Sequence, residues 1–242
     1  MTPSTTPDSP TTLSAPPRLV HHDVVQGSPE WLCARLGRVT SSGAVNVLPM
    51  SELFPKEGKA GRDNEKGREG YVLRLAIERI TGLPAGDSFT NDAMDRGTEL
   101  EPQALERYRI EHSGYDVRTV GFLAHEDRLI GDSPDGLVYE GEGIIGGVEV
   151  KCPGPVVHMK YRETGGVPGE YLRQMLHHLY AVPAAQWWDF VSYHPSFPGR
   201  LAFFEYRMER AAVQPLLDIY AAAVVRFLAL VDAREAQFRL EM

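Results

Sequence analysis

Between Gly131 and Pro155 the chain reads GDSPDGLVYEGEGIIGGVEVKCPGP, and three of its side chains, Asp135, Glu149 and Lys151, could do chemistry together. Glu149 and Lys151 are alternate residues of a strand-like run whose other members, Ile144, Ile145, Val148 and Val150, are apolar. Alternate strand residues face the same way, so the two charges project from one side while Val148 and Val150 face the other. Charges on a buried strand are costly unless something pairs with them. A metal ion and a phosphate are such partners. Two carboxylates at the ends of adjacent strands can hold a hard cation; Mg2+ accepts one or two carboxylates with waters and substrate phosphate, and the Val150 carbonyl offers a further oxygen. A lysine beside that ion could orient or deprotonate an attacking water and neutralise charge on the phosphate. Burial near the cation would push its pKa down. Two plainer readings compete. Asp135 lies in Ser-Pro-Asp-Gly, a tight-turn composition in which aspartate commonly bonds its own backbone. Glu149 and Lys151 could be an ordinary ion pair, although that would prefer an exposed edge.

A third acid lies upstream. If NDAMDRGTELEPQALERY is helical, Met94, Glu101, Leu105 and Tyr108 share one stripe, with Glu101 the charged member of a core-facing row. The alternative is that Pro102 breaks the helix and leaves Glu101 exposed at its start.

The elements that must position these groups are legible in outline. Ser28 can cap a helix with Pro29 at its first position and Glu30 in its first turn. VTSSGAVNVL predicts a second short helix capped by Ser41 or Ser42, followed by a polar loop carrying Lys56, Lys59 and Arg62. An amphipathic helix then ends at Gly82. After the Glu101 helix, DVRTVGFLAHEDRLIGDSPDGLVYE predicts two strands joined by a turn at residues 125–128, and GGVEVKC a further strand. Two helices, two strands and a long apolar-striped helix complete the chain. The order implies a mixed α/β (α+β) architecture, a central mixed sheet flanked by helices.

Bulk properties set limits. The chain has 242 residues, 43% hydrophobic and 24% charged, which fits a globular protein with one domain over residues 19–242. Residues 1–18, rich in Ser, Thr and Pro, read as a disordered tail without the features of a signal peptide. No apolar run suffices to span a bilayer. Cys33 and Cys152 form neither a disulfide framework nor a zinc motif, which suits a cytoplasmic setting. A net charge of −8 argues against a general nucleic-acid coat protein yet leaves room for a local basic groove. Trp187 and Trp188 could stack on bases, but as strand neighbours they face opposite ways, so at least one belongs to the core.

SPDG followed by GGVEVKCP resembles the PD-(D/E)xK nuclease motif, and EWLCARLGRVTSS, RGTELEPQALERY and YLRQMLHHLYA resemble the YqaJ-type viral recombinase, or lambda exonuclease, family. The likeness runs from about residue 27 to about residue 195. It implies a restriction-endonuclease-like core and a Mg2+-dependent exonuclease, with Mn2+ as substitute ion, that digests one strand of linear duplex DNA from its 5′ end for recombination. It implies Glu101, Asp135, Glu149 and the Val150 carbonyl at the metal, Lys151 as catalytic lysine, Gln174 as a helix glutamine reaching water or substrate, and Arg35 with Ser42 on a 5′-phosphate. It further implies a ring-shaped homotrimer and a single-strand annealing protein as partner. One departure is Leu176, where the family often has a second glutamine. The neighbouring His177 and His178 point to different helix faces, which makes them a poor metal pair and reads as surface or groove placement. An endonuclease of restriction or repair type, or a non-catalytic DNA-end-binding protein, are the competing functions.

Overall fold

A computed structural model describes residues 18–54, 65–85 and 92–242, without the side chains of residues 65 and 92–98. The tail before Arg18 and the loop residues Lys56, Lys59 and Arg62 lie outside these residues.

The framework is a five-stranded mixed sheet built from β2 (Asp116–Arg118), β5 (Gly136–Glu140), β6 (Gly143–Lys151), β7 (Trp187–Tyr193) and β8 (Phe203–Glu209), in the order β2-β5-β6-β7-β8. β5 and β6 form a hairpin whose turn uses Gly141 at a φ of 60°, a left-handed conformation that glycine adopts without strain. β6 and β7 run parallel and so need a crossover, which α6 (Pro155–Thr164) and α7 (Gly169–Ala181) supply. The sheet expected from the sequence is therefore present, accompanied by a smaller antiparallel one of β1 (Leu19–His22), β3 (Phe122–His125) and β4 (Gly131–Asp132) in the order β1-β3-β4.

Both faces of the large sheet are covered. On one, Val138, Val148, Val150, Trp187 and Val191 pack with Ala104, Leu105 and Tyr108 of α5 (Asp92–Glu111). On the other, Leu137, Trp188, Phe190 and Met208 join a larger core with α7, α4 (Glu65–Thr81) and the long α8 (Arg210–Arg239). Gly146 and Gly147 seat the two tryptophans: a Cβ at either would come within 2.4 Å of Trp187 or Trp188 respectively. Both indoles are buried, one on each face.

Two local expectations change, and of the two readings of Glu101 the helical one holds. The stretch 116–140 forms four short strands rather than two, because the chain crosses from the small sheet to the large one at Ser133–Asp135. Neither Ser41 nor Ser42 caps a helix; the 3-10 turn Ser41–Gly43 follows Thr40, which makes no side-chain cap, and leads into the short helices α2 (Ala44–Val47) and α3 (Met50–Leu53). The Ser42 and Thr40 hydroxyls instead meet Arg35. Pro102 lies inside an unbroken α5, so Glu101 stays on the helix.

Candidate active site

Glu149 is the centre of the arrangement, its side chain only 2% exposed. β6 turns it, with Lys151, toward α7. Its Oε1 accepts from Lys151 Nζ and from Gln174 Nε2 at 2.6 Å, and its Oε2 meets His178 Nε2 at 2.9 Å. Gln174 and His178 are one helical turn apart, the spacing that puts two side chains on one face. Burial alone would raise the carboxyl's pKa, but the charges of Lys151 and His178 outweigh it and bring it to about 2. For Lys151 burial pulls downward, and Glu149 and Asp135 overcome it, holding the ammonium above its ordinary range. The lowering expected from the sequence belongs to a lysine beside a bound cation; here its nearest charges are carboxylates, for which it is the counter-ion. The Tyr171 ring lies 5.4 Å from Nζ.

Asp135 does not bond its own turn. Its Oδ2 accepts from the Val150 backbone N–H at 2.6 Å, which ties the loop to the neighbouring strand and brings Val150 into the centre through its main chain. Among the described residues, Oδ1 receives no hydrogen bond. Burial, then the charge of Glu149, push Asp135 well above the usual carboxylate range, with Lys151 opposing. Glu101, half-buried on α5, is raised by burial and by Glu149. The structure thus brings Glu101, Asp135, Glu149, Lys151 and Gln174 into one electrostatic neighbourhood. Two of its acids repel proton loss, which is the condition a hard cation relieves. The donor set, carboxylates with one lysine, fits a divalent ion of the Mg2+ kind.

Arg35, the last residue of α1 (Pro29–Arg35), forms a second station. Ser28 caps this helix by accepting from the Trp31 N–H at 3.2 Å. The Arg35 guanidinium lies 3.8 Å from the Trp31 ring and, among the described residues, donates to three hydroxyls: Ser133 at 3.4 Å, Thr40 at 3.3 Å and Ser42 at 3.3 Å. Burial lowers its pKa to about 10. A half-buried guanidinium whose hydrogen bonds go to hydroxyls, with Asp132 and Glu78 acting on it only through their charge, is chemically suited to an anion. Ser133 sits two residues before Asp135, so one loop serves both stations.

The model of the YqaJ-like viral recombinase domain matches residues 30–183, which include both stations. The chain belongs to the YqaJ-like viral recombinase family. It is a nuclease with the PD-(D/E)xK fold. The alkaline exonuclease LHK-Exo from Laribacter hongkongensis is 34% identical over 88% of this chain and 97% of that one, with a TM-score of 0.73. The same protein in complex with dAMP matches at 33% identity and a TM-score of 0.67, over 89% of this chain and 100% of that one. A phage-related exonuclease from Haemophilus somnus 129PT shares the fold at 17% identity and a TM-score of 0.54, over 83% and 96% of the two chains. No curated protein matches the sequence.

In this YqaJ-like nuclease the two histidines of α7 diverge as expected, but both are fully buried, which corrects their surface or groove placement. His177 Nε2 faces the Gly131 carbonyl at 2.9 Å and Nδ1 the Tyr220 hydroxyl at 2.8 Å. A carbonyl only accepts, so Nε2 carries the proton and the ring is neutral. His178 lies between two carboxylates, Asp132 at 2.7 Å and Glu149 at 2.9 Å, so both nitrogens donate and the ring is an imidazolium. Burial pulls its pKa down, yet Asp132 and Glu149 raise it to about 10. Sequence reasoning missed Asp132, Ser133 and His178; the spacing of four between Gln174 and His178 is the signal that points to the last.

Among the described residues, the one group of three histidine or carboxylate ligand atoms within 4.8 Å of one another is His112, Asp189 and Glu205, on the opposite face of the sheet. It does not fit a cation. Arg207 forks onto Asp189 at 2.8 and 2.7 Å, the Tyr108 hydroxyl donates to it at 2.7 Å, and His112 meets Glu205 at 2.8 Å. Both Asp189 oxygens are thereby taken, while Glu205, raised by burial and by the Asp189 charge, has His112 as its partner.

Proposed function

We propose that the chain is a Mg2+-dependent exonuclease that digests one strand of linear double-stranded DNA from a 5′ end in homologous recombination. The observation that carries this reading is the pairing of an acidic centre, with too few cations for its carboxylates, and a hydroxyl-lined guanidinium, both held by the loop Asp132–Asp135. Asp135, Glu149, Glu101 and the Val150 carbonyl would hold the ion. When bound, a divalent cation supplies a Lewis acid for the phosphate and a means of activating water.

The chain's own residues do the rest. Arg35 and Ser42 hold the terminal phosphate and set the register of the strand. Lys151, beside Glu149, orients the attacking water and neutralises charge on the scissile phosphate. Gln174 steadies Glu149 and offers its carbonyl oxygen toward water. That the relative was obtained with dAMP, a single nucleotide, favours exonuclease over endonuclease. The family likeness further supports residues 19–242 acting as one nuclease domain, a homotrimer and a single-strand annealing partner. Among the described residues no helix is long and apolar enough to cross a membrane, which accords with a cytoplasmic place of action.

The test is digestion of 5′-phosphorylated linear duplex beside a relaxed circle, with Mg2+, Mn2+ or chelator. Loss of the linear duplex from its 5′ ends, with the circle intact and chelator blocking, is expected. Nicking of the circle would make the enzyme an endonuclease, and turnover in chelator would remove the cation.

A further inference from the structure

Among the described residues, both oxygens of Glu149 are engaged by protein donors, and the donor on Oε2 is itself held. The His178 ring has no rotational freedom left. Nε2 meets Glu149 at 2.9 Å, Nδ1 meets Asp132 at 2.7 Å, and one face of the ring lies parallel to Trp188 at 4.5 Å and 4°. Trp188 is in turn seated over Gly147, two residues before Glu149 on the same strand face. Asp132 is also fixed: its Oδ1 accepts the Ser133 N–H at 3.0 Å. His178, Asp132 and Glu149 are all buried, so water cannot substitute for any of these bonds.

We propose that His178 is a positioning residue of the acidic centre: the chain Asp132–His178–Glu149, backed by Trp188, fixes the rotation of the Glu149 carboxylate and thereby its readiness for a divalent cation. The proposal rests on the reading of Glu149 as part of a cation site. The physical reason is orientational. A glutamate has three side-chain torsions, and an unheld carboxylate must lose that freedom when it takes an ion. A carboxylate already clamped on one oxygen has lost it during folding. Outer hydrogen-bond partners of this kind typically contribute a factor of about 10–100 in metal affinity. A purely structural role, in which the imidazolium only neutralises two buried acids, would alter stability and leave cation affinity unchanged.

The experiment titrates Mg2+ alone, and Mn2+ alone, into the full chain by calorimetry, and follows digestion of linear duplex against metal concentration. The variants are His178→Phe, which keeps the ring against Trp188 without its donors, Asp132→Asn, which weakens the far end of the chain, and Glu149→Gln. His178→Phe should melt cooperatively, raise the metal dissociation constant about 10–100-fold, and raise the half-saturating metal in digestion in parallel, with KM for DNA unmoved. Asp132→Asn should move the same quantities by less. A folded His178→Phe with the wild-type isotherm overturns the proposal; should that variant not fold, an unchanged isotherm in Asp132→Asn overturns it instead. An unchanged isotherm in Glu149→Gln overturns the cation-site reading itself, a failure distinct from weakening by Glu149→Gln with no effect at His178.

Discussion

Lys151 and Glu149 are each other's counter-ions in this structure, and the pairing decides which protonation states the centre can use. Replacing Lys151 with methionine keeps an unbranched apolar stem, one atom shorter, and removes the charge. Digestion should fall about a hundredfold or more, while calorimetry shows Mg2+ binding retained or tightened, because a competitor for Glu149 is gone. Loss of binding instead would mean that the lysine supports the centre's structure. His177 gives a separate pH signature. Burial pushes its ring down to about 4 from an ordinary 6.5, so between these values the unfolded chain binds the proton and the folded chain does not. Unfolding free energy therefore falls as pH drops through that window, by about 1.4 kcal/mol per unit. His177→Gln should flatten this limb in denaturant titrations at pH 4.5, 5.5 and 6.5. Asp135, Glu149 and Lys151 were legible from the sequence because turn composition and a period of two are local signals. His178 was not, because its two partners lie 46 and 29 residues away and only the fold brings them together.

At the scale of elements, α5 reaches the centre of the sheet through a buried polar contact. Tyr108 lies two turns beyond Glu101 on the same helix, and its hydroxyl donates to Asp189 on β7 while Arg207 on β8 holds the same carboxylate. Tyr108→Phe removes that donor while Arg207 still neutralises Asp189. It should cost about 1–2 kcal/mol, read from the denaturation midpoint. Since α5 also carries Glu101, the metal concentration for half-maximal digestion should rise as well. The helices were readable because caps, glycine stops and apolar stripes are written within each one: Ser28 caps α1, and Gly82, at a φ of 65°, follows α4. The short strands were not, since β4 has two residues, and the small sheet it joins through β3 is completed by β1, which lies about a hundred residues earlier.

For the molecule as a whole, the loop Asp132–Asp135 is where the two sheets, the guanidinium station and the acidic centre meet. Ser133 serves Arg35, Asp132 serves His178, and Asp135 bonds β6. The architecture was visible in the sequence as an order of elements; this convergence was not, because it joins residues from α1, α7 and β6 around four consecutive positions.

The three tryptophans of the chain divide the same territory. Trp31 lies 3.8 Å from the Arg35 guanidinium, Trp187 lies 3.7 Å from that of Arg207, and Trp188 stacks at 4.5 Å on the His178 imidazolium. Every indole therefore rests against a positive charge, and each charge belongs to a different district of the protein. Native fluorescence becomes a built-in gauge with three needles. A 5′-phosphorylated duplex should alter the emission in a way that Trp31→Phe abolishes and a 5′-hydroxyl duplex does not reproduce. A shift that survives Trp31→Phe would place the terminal phosphate somewhere other than beside Arg35.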